Sequence, residues 1–400
     1  MSGITVAYGG VHQIYQIALA AQEIGSLDKF FCSLIDAPGK YGNLISTLVG
    51  RDRFVNMRRP ELNSSYIKEY PWPLLFELLR PKKVQLENCR RNVSEQFDTW
   101  VANKIRSLES KVFVGVETCA MHSFEVAQKQ GVVTVLDCPQ VHPKFLARVL
   151  NEASEDLQLC LTEPFDTPQT AYRKQLEFSM ADHILVLSEV QKRSFIEAGF
   201  SPKQLTLTPL WSDTTLFKPS LIPFPKSPDR LKVLFVGAIS LRKGIPYLLE
   251  AIKLCGTGIE LTLLGAIMPE IEPYLAKYQD YFIYEPPTTK AELCHHYWQS
   301  DVLVLPSLVD AFGWVGMEAM TCGLPVIVSE NCGVPVPDES WRVPIMNAEV
   351  IADKLIMLRD DREYCACLGE IAGQFSQQFT PQRYRQRLQI LFKELLCSKV

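Results

Sequence analysis

The stretch VDAFGWVGMEAMTCGLPVIVSE (residues 309–330) decides how this chain is read. It is almost wholly apolar or small, as a buried segment should be, yet it carries Asp310 and Glu318 eight residues apart around Gly313. Just upstream, DVLVLP (301–306) is a short apolar run closed by proline, which predicts a buried strand. SLVDAFG is then the loop at that strand's carboxyl end. A helix is expected from about Trp314, with Gly323 as its C-terminal cap, and PVIVS (325–329) is the next strand. Gly313 lets the backbone approach a ligand closely, and the first helical amides, around residues 314–316, form an anion site. Glu318 falls about one turn into the helix, so both acids can flank a ligand bound at the helix start. Carboxylates suit vicinal sugar hydroxyls because they accept two hydrogen bonds at once. The pattern fits a ribose, a diphosphate and a hexose in a row. Taken singly, Asp310 could cap the loop and Glu318 could face solvent; the acids, glycine and helix start together favour the ligand.

The same strand–loop–helix alternation runs along the whole chain. ITVAY (4–8), a glycine turn at Gly9 and Gly10, and QIYQIALAAQEIG (13–25) form one unit; KVFVGV, GVVTVLD, ADHILVLS and QLTLTPL continue it. A proline-rich segment, FKPSLIPFPKSPDR (217–230), interrupts the pattern as a linker would. The alternation restarts with LKVLFVG (231–237) and IPYLLEAIKLC (245–255), and PQRYRQRLQILFKELL (381–396) closes the chain as an amphipathic helix. The expected fold is α/β: two Rossmann-like doubly wound domains facing a central cleft. The first covers 1–216 and holds the acceptor; 217–230 links it to a nucleotide-sugar domain over 231–380. A terminal helix over 381–400 packs back on the first domain. Ligands in such folds sit at the carboxyl ends of strands.

Bulk properties agree. A length of 400 residues suits two domains, and 47% hydrophobic with 22% charged residues is ordinary globular composition. A net charge of −4 gives no global attraction to nucleic acid. Twelve cysteines are scattered without a CxxC pair or zinc spacing, so reduced thiols, a cytoplasmic location and no metal ligands are expected. The N-terminus lacks a signal-peptide pattern, and no apolar run approaches the ~18 residues that cross a bilayer.

DAFGWVGMEAMTCGLPVI resembles the E-x7-E signature of family 4 glycosyltransferases, retaining enzymes of the GT-B fold. VLFVGAISLRKGIPYLLEA (233–251), which contains Gly237, resembles that family's VGRLxxxKGIxxLLEA segment, and YGGVHQIYQIALAAQEIG (8–25) is similar to its N-terminal glycine-loop unit. The resemblance implies that Glu318 binds the ribose and Asp310 the donor sugar's hydroxyls. Ala311, Phe312, Gly313, Trp314 and Val315 would offer backbone to sugar and phosphate. Lys243 would bind the diphosphate, with Gly237 in the same loop region and Gly9 and Gly10 near the phosphates and acceptor. Three departures stand out: Asp310 in place of the usual glutamate, Ala238 in place of arginine, and LWSD (210–213) in place of GVD. Arg242, beside Lys243, could replace the missing charge.

Relatives often place a histidine after an N-domain strand near the reacting sugar. Here CPQVHP brings His142 a few residues beyond that position, with His12 as the second choice. Residues 51–91 hold ten Lys/Arg against five Asp/Glu, interleaved with Trp72, Leu74, Leu75 and Phe76. This predicts either peripheral contact with an anionic membrane or an ordinary helix with a basic face. The expected activity is transfer of a hexose-type sugar from a nucleotide diphosphate sugar to a hydroxyl of a glycan, lipid-linked or small-molecule acceptor. Catalysis would rest on Asp310, Lys243, Arg242 and His142, with the donor as co-substrate and no cofactor. The alternative is a catalytically degenerate GT-B protein that binds nucleotide or membrane.

Overall fold

The computed structural model describes residues 3–10, 14–33, 61–72, 86–158, 166–222 and 229–397. His12, Leu74, Leu75, Phe76, most of the basic 51–91 segment and residues 223–228 of the proline-rich stretch lie outside them.

Among the described residues, thirteen strands fall into two sheets. The first contains β1 (Gly3–Tyr8), β2 (Leu27–Cys32), β3 (Ile67–Glu69), β4 (Ser110–Val116), β5 (Val133–Asp137), β6 (His183–Val186) and β7 (Leu205–Leu207). Their spatial order is β3-β2-β1-β4-β5-β6-β7, all parallel. The second contains β8 (Leu231–Val236), β9 (Ile259–Leu264), β10 (Ile283–Glu285), β11 (Val302–Leu305), β12 (Val326–Ser329) and β13 (Arg342–Val343), in the order β10-β9-β8-β11-β12-β13, again all parallel. Both orders reverse at one point, between β1 and β4 and between β8 and β11. At such a switch point the loops diverge and leave a crevice at the strands' carboxyl ends.

The helices are α1 (Ile14–Glu23), α2 (Leu86–Ile105), α3 (Met121–Lys129), α4 (Pro143–Leu157), α5 (Pro168–Met180) and α6 (Glu189–Glu197) around the first sheet. Then come α7 (Ile245–Cys255), α8 (Glu272–Lys277), α9 (Lys290–Gln299), α10 (Trp314–Thr321), α11 (Ala348–Asp360), α12 (Arg362–Ser376) and α13 (Pro381–Cys397). Central strands read as unbroken apolar runs because helices cover both sheet faces: Val302, Leu303, Val304 and Leu305 are all buried.

The amphipathic α13 buries Tyr384, Leu388, Leu391, Phe392 and Leu395 at helical spacing. Each such apolar side chain contributes about 1.5–3 kcal/mol when fully buried. It lies against α1, with Arg385 donating to Gln16 at 2.6 Å and Gln389 to Glu23 at 2.6 Å. The C-terminal chain thus crosses back to the first sheet's layer.

Polar contacts join the two halves at the cleft. Ser188 caps α6 and also donates to Ala311 O at 2.6 Å. Tyr247 OH donates to Asp156 at 2.8 Å, and Trp314 Nε1 to Trp211 O at 2.9 Å.

Candidate functional site

The loops after β8 and β11 meet because a glycine removes the side chain where their backbones cross. Gly244 has φ of 71°, and a Cβ there would stand 1.9 Å from Pro306 O. A Cβ on Gly265 would stand 1.8 Å from Gly237 O, so the ends of β8 and β9 also close directly on each other. Gly244 then opens α7, and Leu308 N donates to Arg242 O at 2.9 Å. This seating carries Lys243 to the β11 loop, where its ammonium is hydrogen-bonded to Asp310 Oδ2. Asp310 Oδ1 accepts from Gly313 N at 3.0 Å. Gly313 has φ of 69°, a conformation that favours glycine, and it is the N-cap of α10 without a side-chain cap of its own.

Burial pushes the Asp310 carboxyl up. The Lys243 ammonium, the Arg242 charge and the Gly313 amide outweigh that and hold it below the ordinary aspartate value. Asp310 is therefore ionised, and both its oxygens are engaged. It ties Lys243 to the loop and caps the amide of Gly313, as the capping reading of this residue expects.

The anion site at α10 is narrower than the sequence suggests. Gly316 N donates to Gly313 O at 2.9 Å, and Gly313 N is taken by Asp310. That leaves the amides of Trp314 and Val315 without an acceptor among the described residues, beside the Lys243 ammonium. A helix N-terminus with an adjacent cation suits a phosphate.

Glu318 follows on the buried face of α10, 8% exposed. It accepts from Tyr297 OH of α9 at 3.2 Å. Burial raises its carboxyl to about 7, against the opposing pull of Lys290 and the tyrosine hydroxyl and with a further push from Asp213. Asp213 and Trp211 belong to the LWSD segment, so this departure from the family pattern lies beside Glu318 and the helix start rather than far from the site. Gly9 and Gly10 sit at the carboxyl end of β1; a Cβ on Gly9 would meet Phe97 at 3.0 Å.

His142, expected near the reacting centre, sits at the start of a helix. Its Nδ1 accepts from Lys144 N at 3.3 Å as the N-cap of α4, and its backbone N donates to Ser194. The ring packs against Phe178, Phe195 and Phe200, with centroids 5.3–5.9 Å away. Burial, with Lys144 nearby, lowers it to about 4. It is a packed helix cap, and the pattern His-Pro before an amphipathic run carries that alternative signal.

Sequence reasoning missed several residues that shape the site. Tyr297 is an inward position of a mixed helix. Ser188 is legible in SEVQ as a cap, but its second bond to Ala311 O joins segments far apart in sequence. Arg342 donates to Cys332 O at 2.8 Å and Val334 O at 3.0 Å, fixing the loop that backs Gly313.

Residues 230–361 match the family model described as Glycosyl transferases group 1. Curated relatives include a D-inositol 3-phosphate glycosyltransferase of Paenarthrobacter aurescens, 26% identical over 205 residues covering 46% of this chain and 50% of the relative. Another of that name, from Corynebacterium aurimucosum, is 26% identical over 66% of this chain and 68% of the relative. The chain spans about half the length of the Paenarthrobacter relative and about two thirds of the Corynebacterium one.

Among solved structures, a sucrose-phosphate synthase from Thermosynechococcus elongatus superposes with TM-score 0.66 at 18% identity over all of both chains. Anabaena HepE in complex with UDP and glucose gives 0.60 at 13% identity over 98% of this chain and 100% of that one. The fold is α/β, two Rossmann-like domains in the GT-B arrangement facing a central cleft.

Proposed function

We propose that the protein is a retaining glycosyltransferase that moves a hexose-type sugar from a nucleoside diphosphate sugar to an acceptor hydroxyl. The observation that carries this reading is the convergence of Lys243, Asp310, the free amides of Trp314 and Val315, and Glu318 at one switch point, inside the segment that matches the glycosyltransferase model. Glu318 would accept the ribose hydroxyls, and the α10 amides with Lys243 would hold the diphosphate. UDP or UDP-sugars bound in HepE, and UDP-2-fluoro glucose bound in an Escherichia coli relative, support a nucleotide-sugar donor.

Retention is what the resemblance to family 4 glycosyltransferases implies, and a front-face route is compatible with these placements. The acceptor oxygen bonds to the anomeric carbon on the face from which the diphosphate leaves, and the carbon–oxygen bond to the phosphate breaks. The departing phosphate oxygen takes the acceptor proton. Lys243 and the helix start stabilise the charge that grows on it, which is where such donors contribute most. Arg242 adds positive potential. Asp310 keeps Lys243 aimed at the phosphate and reaches the donor hydroxyls once the ammonium turns to the ligand.

The acceptor is a hydroxyl of a glycan, a lipid-linked sugar or a small molecule. Peripheral membrane contact through 51–91 is supported by its basic excess and by Trp72, 60% exposed at the edge of the described segment. No helix among the described residues is long and apolar enough to cross a membrane.

The test is slow donor hydrolysis without acceptor, followed by proton NMR of the first-formed sugar. The proposal expects release of the α-anomer from an α-linked donor. Release of the β-anomer would replace retention by inversion. No hydrolysis of any common nucleotide sugar, despite nucleotide binding, would favour the degenerate alternative.

A further inference from the structure

Away from the cleft, the first domain has a surface cavity of about 700 Å³ beside its edge strand β3, lined by Tyr70, Glu95, Gln96, Thr99, Trp100 and Asn103. Tyr70 immediately follows β3, and its backbone amide donates to Cys32 O at 2.9 Å. The other five residues share one stripe of α2, at helical spacing. The Tyr70 ring lies flat on Trp100, with centroids 4.9 Å apart and planes at 10°. Trp100 is braced from behind by Phe31, edge-on at 5.3 Å, and by Phe97 at 5.8 Å. The aromatic pair is therefore a rigid wall whose position is fixed by the core.

Around that wall the polar groups are idle. Glu95, Gln96, Thr99 and Asn103 are exposed. Among the described residues, the side chains of Glu95, Gln96 and Asn103, the Tyr70 hydroxyl and the Trp100 indole N–H have no hydrogen-bond partner. Thr99 donates to Glu95 O at 2.9 Å and keeps its acceptor lone pairs. Carboxylate, amides, hydroxyls and indole N–H thus offer donors and acceptors around an aromatic face.

We propose that this cavity is a carbohydrate-binding site, separate from the donor site, for an unbranched, uncharged oligosaccharide. The apolar face of a pyranose matches a flat ring, and its equatorial hydroxyls need donors and acceptors at the rim, which Gln96, Asn103, Glu95 and Thr99 supply. The described lining favours a sugar over other small-ligand classes. Among the described residues it holds no lysine or arginine and no helix N-terminus to neutralise a phosphate, and its apolar elements are the two rings, a surface suited to a pyranose face rather than an acyl chain. β3 lies two strands from β1, about 10 Å across the sheet, so the ligand here need not overlap one bound near Gly9 and Gly10. Such a site would hold the body of a glycan chain while its end enters the cleft. The binding claim itself does not depend on the donor reading.

The test is saturation-transfer NMR with maltopentaose, cellopentaose, laminaripentaose and a β-1,4-mannopentaose against the full chain. At least one is expected to bind saturably below about 10 mM. Tyr70→Ala should weaken it at least about tenfold, and Tyr70→Phe should retain it, because the ring and not the hydroxyl supplies the wall. Thr99→Arg, at an exposed helix position, projects a bulky charged side chain into the cavity and keeps the test valid if Tyr70→Ala fails to fold. Glu318→Ala should leave oligosaccharide binding unchanged. Absence of binding by all four sugars, or equal affinity in wild type and Thr99→Arg, overturns the proposal. Loss of binding in Glu318→Ala but not in Thr99→Arg would move the sugar into the cleft and overturn it equally.

Discussion

The Lys243 ammonium is bonded to Asp310 Oδ2, a partner 67 residues further along the chain, and each side chain is only 14% exposed. Two loops from different strands are thereby tied across the switch point before any donor arrives. Removing one partner strands the other charge in a buried setting, whereas removing both does not. Lys243→Met and Asp310→Asn should each destabilise the fold, and the double variant should be more stable than the sum predicts. The coupling expected from urea denaturation of all four proteins is roughly 1–3 kcal/mol. Strict additivity would mean that the pair is not formed in solution.

Under the proposed function, Glu318 should make nucleotide affinity depend on pH. Its carboxyl, raised to about 7 by burial, must be ionised to accept two ribose hydrogen bonds. Affinity should rise as pH climbs through about 7, and binding below that pH should release a proton into the buffer. Glu318→Gln should flatten the dependence down to the part due to the phosphate itself. For stability the sign is opposite. The folded pKa is raised, so the stabilising contribution is complete below about 4.5 and is lost as pH rises through about 7. Glu318→Gln should therefore gain Tm over wild type at pH 8 and lose that gain toward pH 5, as read by thermal melts in low-temperature-coefficient buffers.

His142 should matter for folding and not for turnover. Its pKa is depressed to about 4, so the neutral ring stabilises the fold above about 6.5, and that contribution is lost as pH falls through about 4. His142→Ala removes a cap and leaves a gap among three phenylalanines, at a cost of ~2–4 kcal/mol. Its kcat at saturating donor should stay within about threefold of wild type, against the ~10²–10³ loss expected when a group stabilising the leaving charge is removed. A hundredfold fall in kcat with intact stability would return His142 to the reacting centre.

Gly313 can be separated from ordinary glycine strain. Gly313 and Gly131 share φ of 69°, but a Cβ at 131 meets nothing within 4 Å, while one at 313 meets Cys332 Sγ at 2.6 Å. Gly131→Ala should cost only the backbone term, about 1–2 kcal/mol. Gly313→Ala should cost more, and it should raise the donor KM by shifting the amide bonded to Asp310. Equal Tm changes and equal KM values in the two variants would show that the loop tolerates the displacement.

Much of this was readable from sequence where a residue's role is local. The strand DVLVLP, the helix from Trp314, Gly323 past its end and the helix over Ile245–Cys255 follow from apolar runs, proline and glycine. The placement of the two carboxylates, one in the loop after the strand and one in the helix that follows, was legible from the proline, glycine and apolar spacing around them. What stayed hidden depends on contacts between distant segments. Asp310 with both oxygens engaged, Tyr297 on Glu318 and Ser188 on Ala311 O have no periodicity to betray them. His142 shows the same limit: proximity to a strand end places a residue near the cleft without saying which way its ring turns. It turns into an aromatic cluster whose members are scattered over two helices and a loop.

Calorimetric titration of UDP, GDP and ADP into wild type, Lys243→Ala and Glu318→Ala tests whether the loops after β8 and β11 form a nucleotide site. One of the three should bind the wild type with a Kd in the micromolar range, and each variant should weaken that nucleotide by at least about tenfold, near 1.4 kcal/mol. Binding to none of them, or affinity unchanged in both variants, would contradict the site.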